Sequence, residues 1–164
     1  MKRRRMGSEM NVYERIKELG LEIPKAPVKG GVYAPAREFG ENLVYISGCG
    51  PLIGEPVSGK VGREVTKEEA KNYARNAMLN VLAVLESQIG DLNKVKQAVK
   101  ILTFVASDDS FDQQPFVANG ASELLVNLFG EEKGTPSRSA VGVNVLPGNI
   151  PVEIEAIFEV TGEA

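Results

Sequence analysis

The side chains best suited to chemistry lie near the carboxyl end of the chain. Arg138 stands in segment 135–145, whose alternating valines indicate a β-strand. Segment 152–160 alternates in the same way and carries Glu155 and Glu159. A guanidinium group is a planar fork that can bind a carboxylate with two hydrogen bonds. Arg138 is therefore a candidate anion anchor, and the structural alternative is a ladder of ion pairs with the two glutamates.

These two strands are predicted to form a hairpin around the turn 146–149, Leu-Pro-Gly-Asn. Opposite residues of an antiparallel pair point to the same side, so this register puts Arg138 on the face of the glutamates. The small residues Ala140 and Gly142 line the same face. We therefore expect this face to accept either another subunit or a ligand.

A second candidate site is the glycine-rich stretch that follows the predicted strand 43–47. Its residues are Ser47, Gly48, Cys49, Gly50 and Pro51. Glycines let the backbone approach a ligand, so N–H groups near Gly48 suit a carboxylate or an oxyanion, with a tight bulge as the alternative. Cys49 is predicted to lie at the rim of the site as a reduced thiol. It is not expected to be a nucleophile, because the chain has no histidine to activate it.

The composition argues against several classes of function. The 164 residues include no histidine and one cysteine, which excludes Ser-His-Asp and Cys-His arrangements and most zinc or haem sites. The sequence contains no P-loop and no dinucleotide-binding fingerprint, so we expect neither a cofactor nor a metal. A net charge of −3 argues against nucleic acid as a partner. The lone cysteine, with no signal peptide or long apolar run, favours a cytoplasmic protein without a membrane partner.

The elements that must position these residues are predicted in the order β-β-α-β-α-β-β. Before the two carboxyl-terminal strands, the predicted elements are strands 32–39, 43–47 and 94–106 and helices 66–90 and 115–129. Asn119 and Gly120 are poor helix formers and indicate a ligand or a close neighbour. Two helices cover only one face of a mixed or mostly antiparallel sheet, which predicts an α+β fold. The uncovered face, expected to carry Arg138, Ala140 and Gly142, predicts a symmetric oligomer.

The chain is expected to consist of one folded domain with an amino-terminal extension. Residues 1–10, with four consecutive basic residues, are expected to be disordered or not native, and an RNA-contacting arm is the weaker alternative. Residues 11–27 form the extension, in which Asn11 caps a short helix that ends at Gly20. Residues 28–164 form the domain.

Five short motifs in this order resemble those of one known family. They are GVYAPA at 31–36, YISGCGP at 45–51, NGASE at 119–123, PSRS at 136–139 and VEIEAI at 152–157. Over residues 28–160 the chain resembles the Rid (YjgF) family, also labelled L-PSP endoribonucleases or translation-initiation inhibitors. The resemblance implies a bacillus-type chorismate-mutase-like fold, assembled as a homotrimer with clefts between subunits.

The resemblance also implies an activity, the hydrolysis of enamines and imines such as 2-aminoacrylate to a keto acid and ammonia. It implies that Arg138 binds the substrate carboxylate and that Glu153 serves the hydrolytic water. The positions implied to line the pocket are Tyr33, Ser47, Gly48 and Asn119. Cys49 and Ala140 replace the family's glutamine and cysteine, so the pocket edge and the substrate are expected to differ. The S-G-x-G-P form, the amino-terminal helix and the 57–65 loop resemble a less characterised branch.

The leading hypothesis is thus an imine or enamine deaminase that acts on a small carboxylate-bearing metabolite. Tyr33 either transfers a proton or forms an aromatic wall. The alternatives are a carboxylate-binding protein without turnover and an endoribonuclease, as one family label says. The hairpin register puts Glu153 about 20 Å from Arg138 along the strand. We therefore expect the two to come from different subunits, with a shifted register or an interface role for Glu153 as alternatives.

Overall fold

A computed structural model describes residues 11–162 of the chain. The expectation for residues 1–10 lies outside these residues. The helices are α1 Val12–Glu18, α2 Lys67–Ile89 and α3 Gln114–Gly134. The strands are β1 Ala36–Phe39, β2 Leu43–Cys49, β3 Val95–Ala106, β4 Ser137–Val143 and β5 Val152–Val160. The predicted order of elements is therefore confirmed, although β1 begins four residues later than expected.

Helix ends are fixed by the residues that the sequence suggests. The Asn11 side chain accepts hydrogen bonds from two backbone N–H groups of α1. Thr66 and Glu69 form the predicted capping box at the start of α2, and Gly90 ends that helix with a φ of 85°. Gly130, with φ 84° and ψ 166°, interrupts α3 where the sequence predicts its end, and a last helical turn follows.

The strand pairing corrects the predicted hairpin. The five strands have the order β1-β2-β5-β3-β4. Strand β4 pairs with β3 in parallel, whereas β5 lies between β2 and β3 and is antiparallel to both. The pairing of β4 follows from α3, because a helix that connects two strands returns the chain to a parallel neighbour.

This pairing also corrects the predicted faces. Arg138 lies opposite Ile101, and Ile101 lies opposite Ala156 on the other side. Ile101 and Ala156 are buried in the core shared with the helices, so Arg138 lies on the helix-covered face. The same alternation places Ala140 and Gly142 on that face. Gly142 leaves room for α3 and the β3–α3 loop of the same subunit, because a Cβ there would lie 2.9 Å from the Gln114 side chain and 3.2 Å from Ser107 Oγ.

The opposite face of the sheet is not covered by a helix of the described residues. It carries Glu153 and Glu155 of β5 together with apolar side chains from the other strands. Phe39, Tyr45 and Val141 on this face are exposed by 43%, 39% and 39%. We call this face, with its exposed apolar side chains, the open face.

The amino-terminal extension packs on the other side, against the helices. Val12 and Ile16 of α1 are buried in the main core. The Tyr13 hydroxyl donates to Glu86 at 2.8 Å and accepts from the Leu92 N–H at 3.0 Å. Among residues 11–162, no helix is both long enough and apolar enough to span a bilayer.

Candidate active site

Arg138 is held by two side chains of α3. Its Nη1 donates to Asn119 Oδ1 at 2.6 Å and to Ser122 Oγ at 3.2 Å. Within residues 11–162, Nε and Nη2 make no hydrogen bond. Arg138 is exposed at the edge strand β4, so this side of the guanidinium is open to a carboxylate. We call Arg138, Asn119 and Ser122 the arginine half-site.

The two poor helix formers of α3 have separate explanations. Gly120 lets α3 pack closely against the backbone of α2, because a Cβ at this position would lie 2.9 Å from the carbonyl carbon of Lys71. Asn119 faces β4 and binds Arg138. Sequence reasoning missed Ser122, although residues three apart on a helix share a face and Ser122 is three residues after Asn119. Ala140 lies two residues beyond Arg138 on the same side of β4.

Glu153 lies on the open face against the backbone of Gly48. A Cβ on Gly48 would lie 2.8 Å from the Glu153 carboxyl carbon and 3.1 Å from its Cγ, so only glycine leaves room for this side chain. Burial raises the pKa of Glu153, and the nearby Glu155 raises it further. The residue is therefore suited to accept and return a proton. We call Glu153 and Gly48 the glutamate half-site.

Ser47, which precedes Gly48 in the chain, and Tyr33 are both fixed by hydrogen bonds to the backbone. The Ser47 hydroxyl donates to the Ala34 carbonyl at 2.7 Å, and the Ser47 N–H donates to the Pro35 carbonyl at 2.9 Å. Tyr33 is exposed, and its hydroxyl accepts from the Gly30 N–H at 3.1 Å. Segment 31–35 is a series of bends, whereas the sequence predicted a strand.

Cys49 is buried within the subunit, and its predicted place at the rim of the site stays a prediction. It is only 6% exposed and lies opposite Ile154 in the core. Burial raises the pKa of the thiol to about 12, with a further contribution from Glu153. The thiol is therefore protonated at neutral pH, as the expected lack of nucleophilic function requires. Its predicted contact with substrate stays a prediction.

The two half-sites of one subunit cannot hold the same small molecule. Arg138 lies opposite Ile101 of β3, and Glu153 lies opposite Phe104. Three residues along β3 and two strand spacings separate their Cα atoms by about 14 Å. Their side chains also point to opposite faces of the sheet. This arrangement replaces the 20 Å separation expected from the hairpin, and the two half-sites of one subunit remain apart.

One further feature near the glutamate half-site was not found from the sequence. Burial raises the pKa of Tyr45, and a hydrogen bond to Glu155 raises it further, which places these two side chains together on the open face. Among residues 11–162, no three His, Cys, Asp or Glu side chains are close enough to hold a metal ion.

Comparisons with known proteins agree with this architecture. A family model described as "YjgF/chorismate_mutase-like, putative endoribonuclease" matches residues 13–158. Protein TCP17 of Trypanosoma cruzi is 37% identical, over 90% of this chain and 93% of its own length. The 2-iminobutanoate/2-iminopropanoate deaminase of Dermatophagoides farinae is 32% identical, over 84% of this chain and 92% of its own.

A solved structure matches almost the whole fold. The protein Atu1372 of Agrobacterium tumefaciens, of unknown function, is 39% identical with a TM-score of 0.83, over 91% of this chain and 92% of its own. The α+β fold with a five-stranded mixed sheet and three helices is that of chorismate-mutase-like proteins, as the sequence motifs predicted. The chain therefore belongs to the YjgF/chorismate-mutase-like family, also called the Rid family.

Proposed function

We propose that this protein hydrolyses imines of small 2-keto acids, and the enamines that tautomerise to them, to the keto acid and ammonia. The observation that carries this proposal is the arginine half-site. Two acceptors on α3 hold Nη1 of Arg138, which leaves the Nε and Nη2 donors for a substrate carboxylate. The fork geometry suits the carboxylate next to the reacting carbon of a 2-imino acid.

The second requirement is a group that can move a proton. A protonated imine carbon is electrophilic, and water attacks it while Glu153 takes a proton from that water. Glu153 then returns this proton to the nitrogen of the resulting amino alcohol, the C–N bond breaks to release ammonia, and the hydroxyl group gives its proton to Glu153 as the 2-keto acid forms. The raised pKa of Glu153 brings this group closer to the working pH, which favours both proton transfers. An enamine such as 2-aminoacrylate first gains a proton on its terminal carbon.

A complete site requires two subunits. Arg138 and Glu153 of one chain point to opposite faces of the sheet, so a substrate that contacts both must bridge two copies. We propose a homotrimer in which the open face of each subunit packs on its neighbour and aligns one arginine half-site with one glutamate half-site. The apolar side chains exposed on the open face support this packing.

The comparisons support the reaction class at the level of the family. Relatives about 32% identical to this chain are named 2-iminobutanoate/2-iminopropanoate deaminase. The family description also contains the word endoribonuclease. The half-sites hold no histidine for proton transfer, and the chain carries a net charge of −3, so neither feature favours RNA as substrate.

The test is to generate 2-aminoacrylate or 2-iminobutanoate in the presence of the purified protein and to follow release of ammonia and keto acid. We expect faster release than in buffer, and Arg138→Ala should lower it to the buffer rate. Binding of the 2-keto acid product, measured by calorimetry, should be lost in the same variant. Product binding by Arg138 without any faster release would instead make the protein a carboxylate-binding protein and would overturn the proposal.

A further inference from the structure

The turn that follows β2 has an anchor that the proposed mechanism does not include. Asn80 lies in the middle of α2 and is only 2% exposed. Its Nδ2 donates to the Gly50 carbonyl at 2.9 Å and to the Leu52 carbonyl at 3.0 Å. Both amide hydrogens therefore bind the backbone on either side of Pro51. The residues on either side of it in α2, Leu79 and Val81, are apolar and buried, and a leucine is of similar size to asparagine.

The end of β2 needs such an anchor because its pairing with β5 shifts between Ile46 and Cys49, which leaves Ser47 and Gly48 in a bulge. Upstream, the Ser47 contacts with the Ala34 and Pro35 carbonyls hold the start of this bulge. Downstream, only Asn80 makes side-chain hydrogen bonds to residues 50–52 among the residues that the structure describes. Gly48, between these two anchors, is the residue whose backbone contacts Glu153.

We propose that Asn80 is a positioning residue that holds the Gly48 backbone against the Glu153 carboxylate through its bonds to the Gly50 and Leu52 carbonyls. This inference rests on the proposed function, because its consequence is the placement of the proposed proton acceptor. Asn80 does not contact substrate. Loss of the Asn80 side chain is expected to move the Gly48 backbone away from Glu153 and to let water reach the carboxylate. The arginine half-site should stay unchanged.

The direct test compares Asn80→Leu with the wild-type protein well below the unfolding temperature. Leucine keeps the volume and removes both donors. We expect kcat for imine hydrolysis to fall about tenfold while KM changes less than about threefold, because the half-site that binds the carboxylate is untouched. Asn80→Asp, whose buried carboxyl keeps one O–H donor when protonated, should give an intermediate kcat. It also serves as the test if Asn80→Leu does not fold.

A matched control separates positioning from general loss of stability. Leu128→Ala removes a buried side chain of α3 that lies beside Val12 and Val95, and so creates a cavity in the core. It should lower the unfolding temperature and leave kcat unchanged under the same conditions. If Asn80→Leu behaves like Leu128→Ala, with lower stability and full kcat, Asn80 is merely structural and the proposal is wrong.

A second measurement does not depend on activity. The carboxyl ¹³C resonance of Glu153, assigned by its absence in Glu153→Gln, reports the pKa of this group during a pH titration. In Asn80→Leu the pKa should fall toward the ordinary glutamate value, because the carboxylate gains water. If the wild type proves inactive and this shift still occurs, the proposed function fails while the positioning stands. An unchanged Glu153 titration in both Asn80 variants overturns the positioning itself.

Discussion

Gly48→Ala tests how closely the backbone at the end of β2 determines the position of the Glu153 side chain. Gly48 does not have a positive φ, so alanine is not strained by its backbone conformation. The new methyl group would lie 2.8 Å from the Glu153 carboxyl carbon, whereas ordinary contacts begin near 3.4 Å. The carboxyl carbon must therefore retreat by at least about 0.6 Å, and its oxygens must move farther.

The two consequences of this retreat differ in size. The Glu153 carboxylate is the end of a flexible side chain, so the free energy of unfolding should fall by only about 1 kcal/mol or less, at the low end for overpacking. Catalysis is more sensitive, because a misplacement of about 1 Å can lower a rate about a hundredfold. We expect kcat for imine hydrolysis to fall roughly ten- to hundred-fold, with little change in KM.

Gly50→Ala, two residues farther along the chain, is the matched control. Its methyl group would lie 2.7 Å from Ile150 Cδ1, so it crowds an apolar side chain by a similar amount and does not touch Glu153. Steady-state kinetics and urea unfolding should show similar stabilities for the two variants, and a large loss of kcat only in Gly48→Ala. Full activity in Gly48→Ala would refute the assignment of Glu153 to the reaction.

Three further variants test separate parts of the account. Arg138→Lys should lower kcat/KM roughly ten- to hundred-fold, a loss of about 1.5–3 kcal/mol of transition-state stabilisation, because an ammonium cannot replace the planar fork of the guanidinium. Full activity would make Arg138 structural. Glu153→Gln should be more stable than the wild type at pH 8 in thermal unfolding. A raised carboxyl pKa destabilises the fold as pH rises through it, so this difference should vanish on acidification, and a difference independent of pH would contradict the raised pKa. Cys49→Ala should keep kcat within about threefold because the buried thiol is protonated; a loss as large as that of Arg138→Ala would assign it a catalytic role.

Local features of this fold could be predicted because they depend on neighbouring residues. The caps at Asn11 and Thr66 and the break at Gly130 each result from contacts or torsion angles within a few residues. The turn after β4 was also located correctly: Gly148 and Asn149 have positive φ, and the Asn149 N–H donates to the Leu146 carbonyl. The order of strands and helices follows from the same local information.

Strand pairing could not be predicted from the alternation of residues, because alternation is the same for any neighbour. The turn at residues 146–149 is typical of a hairpin, yet the strands on its two sides join different neighbours. The helix between β3 and β4 was the better indicator, since parallel neighbours need such a crossover. Ala140 and Gly142 were therefore assigned to the wrong face, and Gly142 in fact accommodates elements of its own subunit.

The candidate site was predictable in its residues and not in its geometry. Arg138, Glu153 and Asn119 were proposed from the motifs. In the structure Asn119 accepts a hydrogen bond from Arg138, and Gly48 lies against the Glu153 side chain. Which face each side chain occupies depends on long-range pairing, and so does the separation of the two half-sites. Ser122 was missed because its role depends on how α3 lies on β4.

The central claim is that each site combines Arg138 of one subunit with Glu153 of another, and subunit mixing tests it most directly. Arg138→Ala and Glu153→Ala are mixed in equal amounts under conditions of subunit exchange, and wild type is mixed in parallel with the double variant. If the residues come from different subunits, about a quarter of the sites are intact in both mixtures, and both should show about a quarter of wild-type activity. No activity in the first mixture, with about half in the second, would place both residues in one subunit and contradict the account.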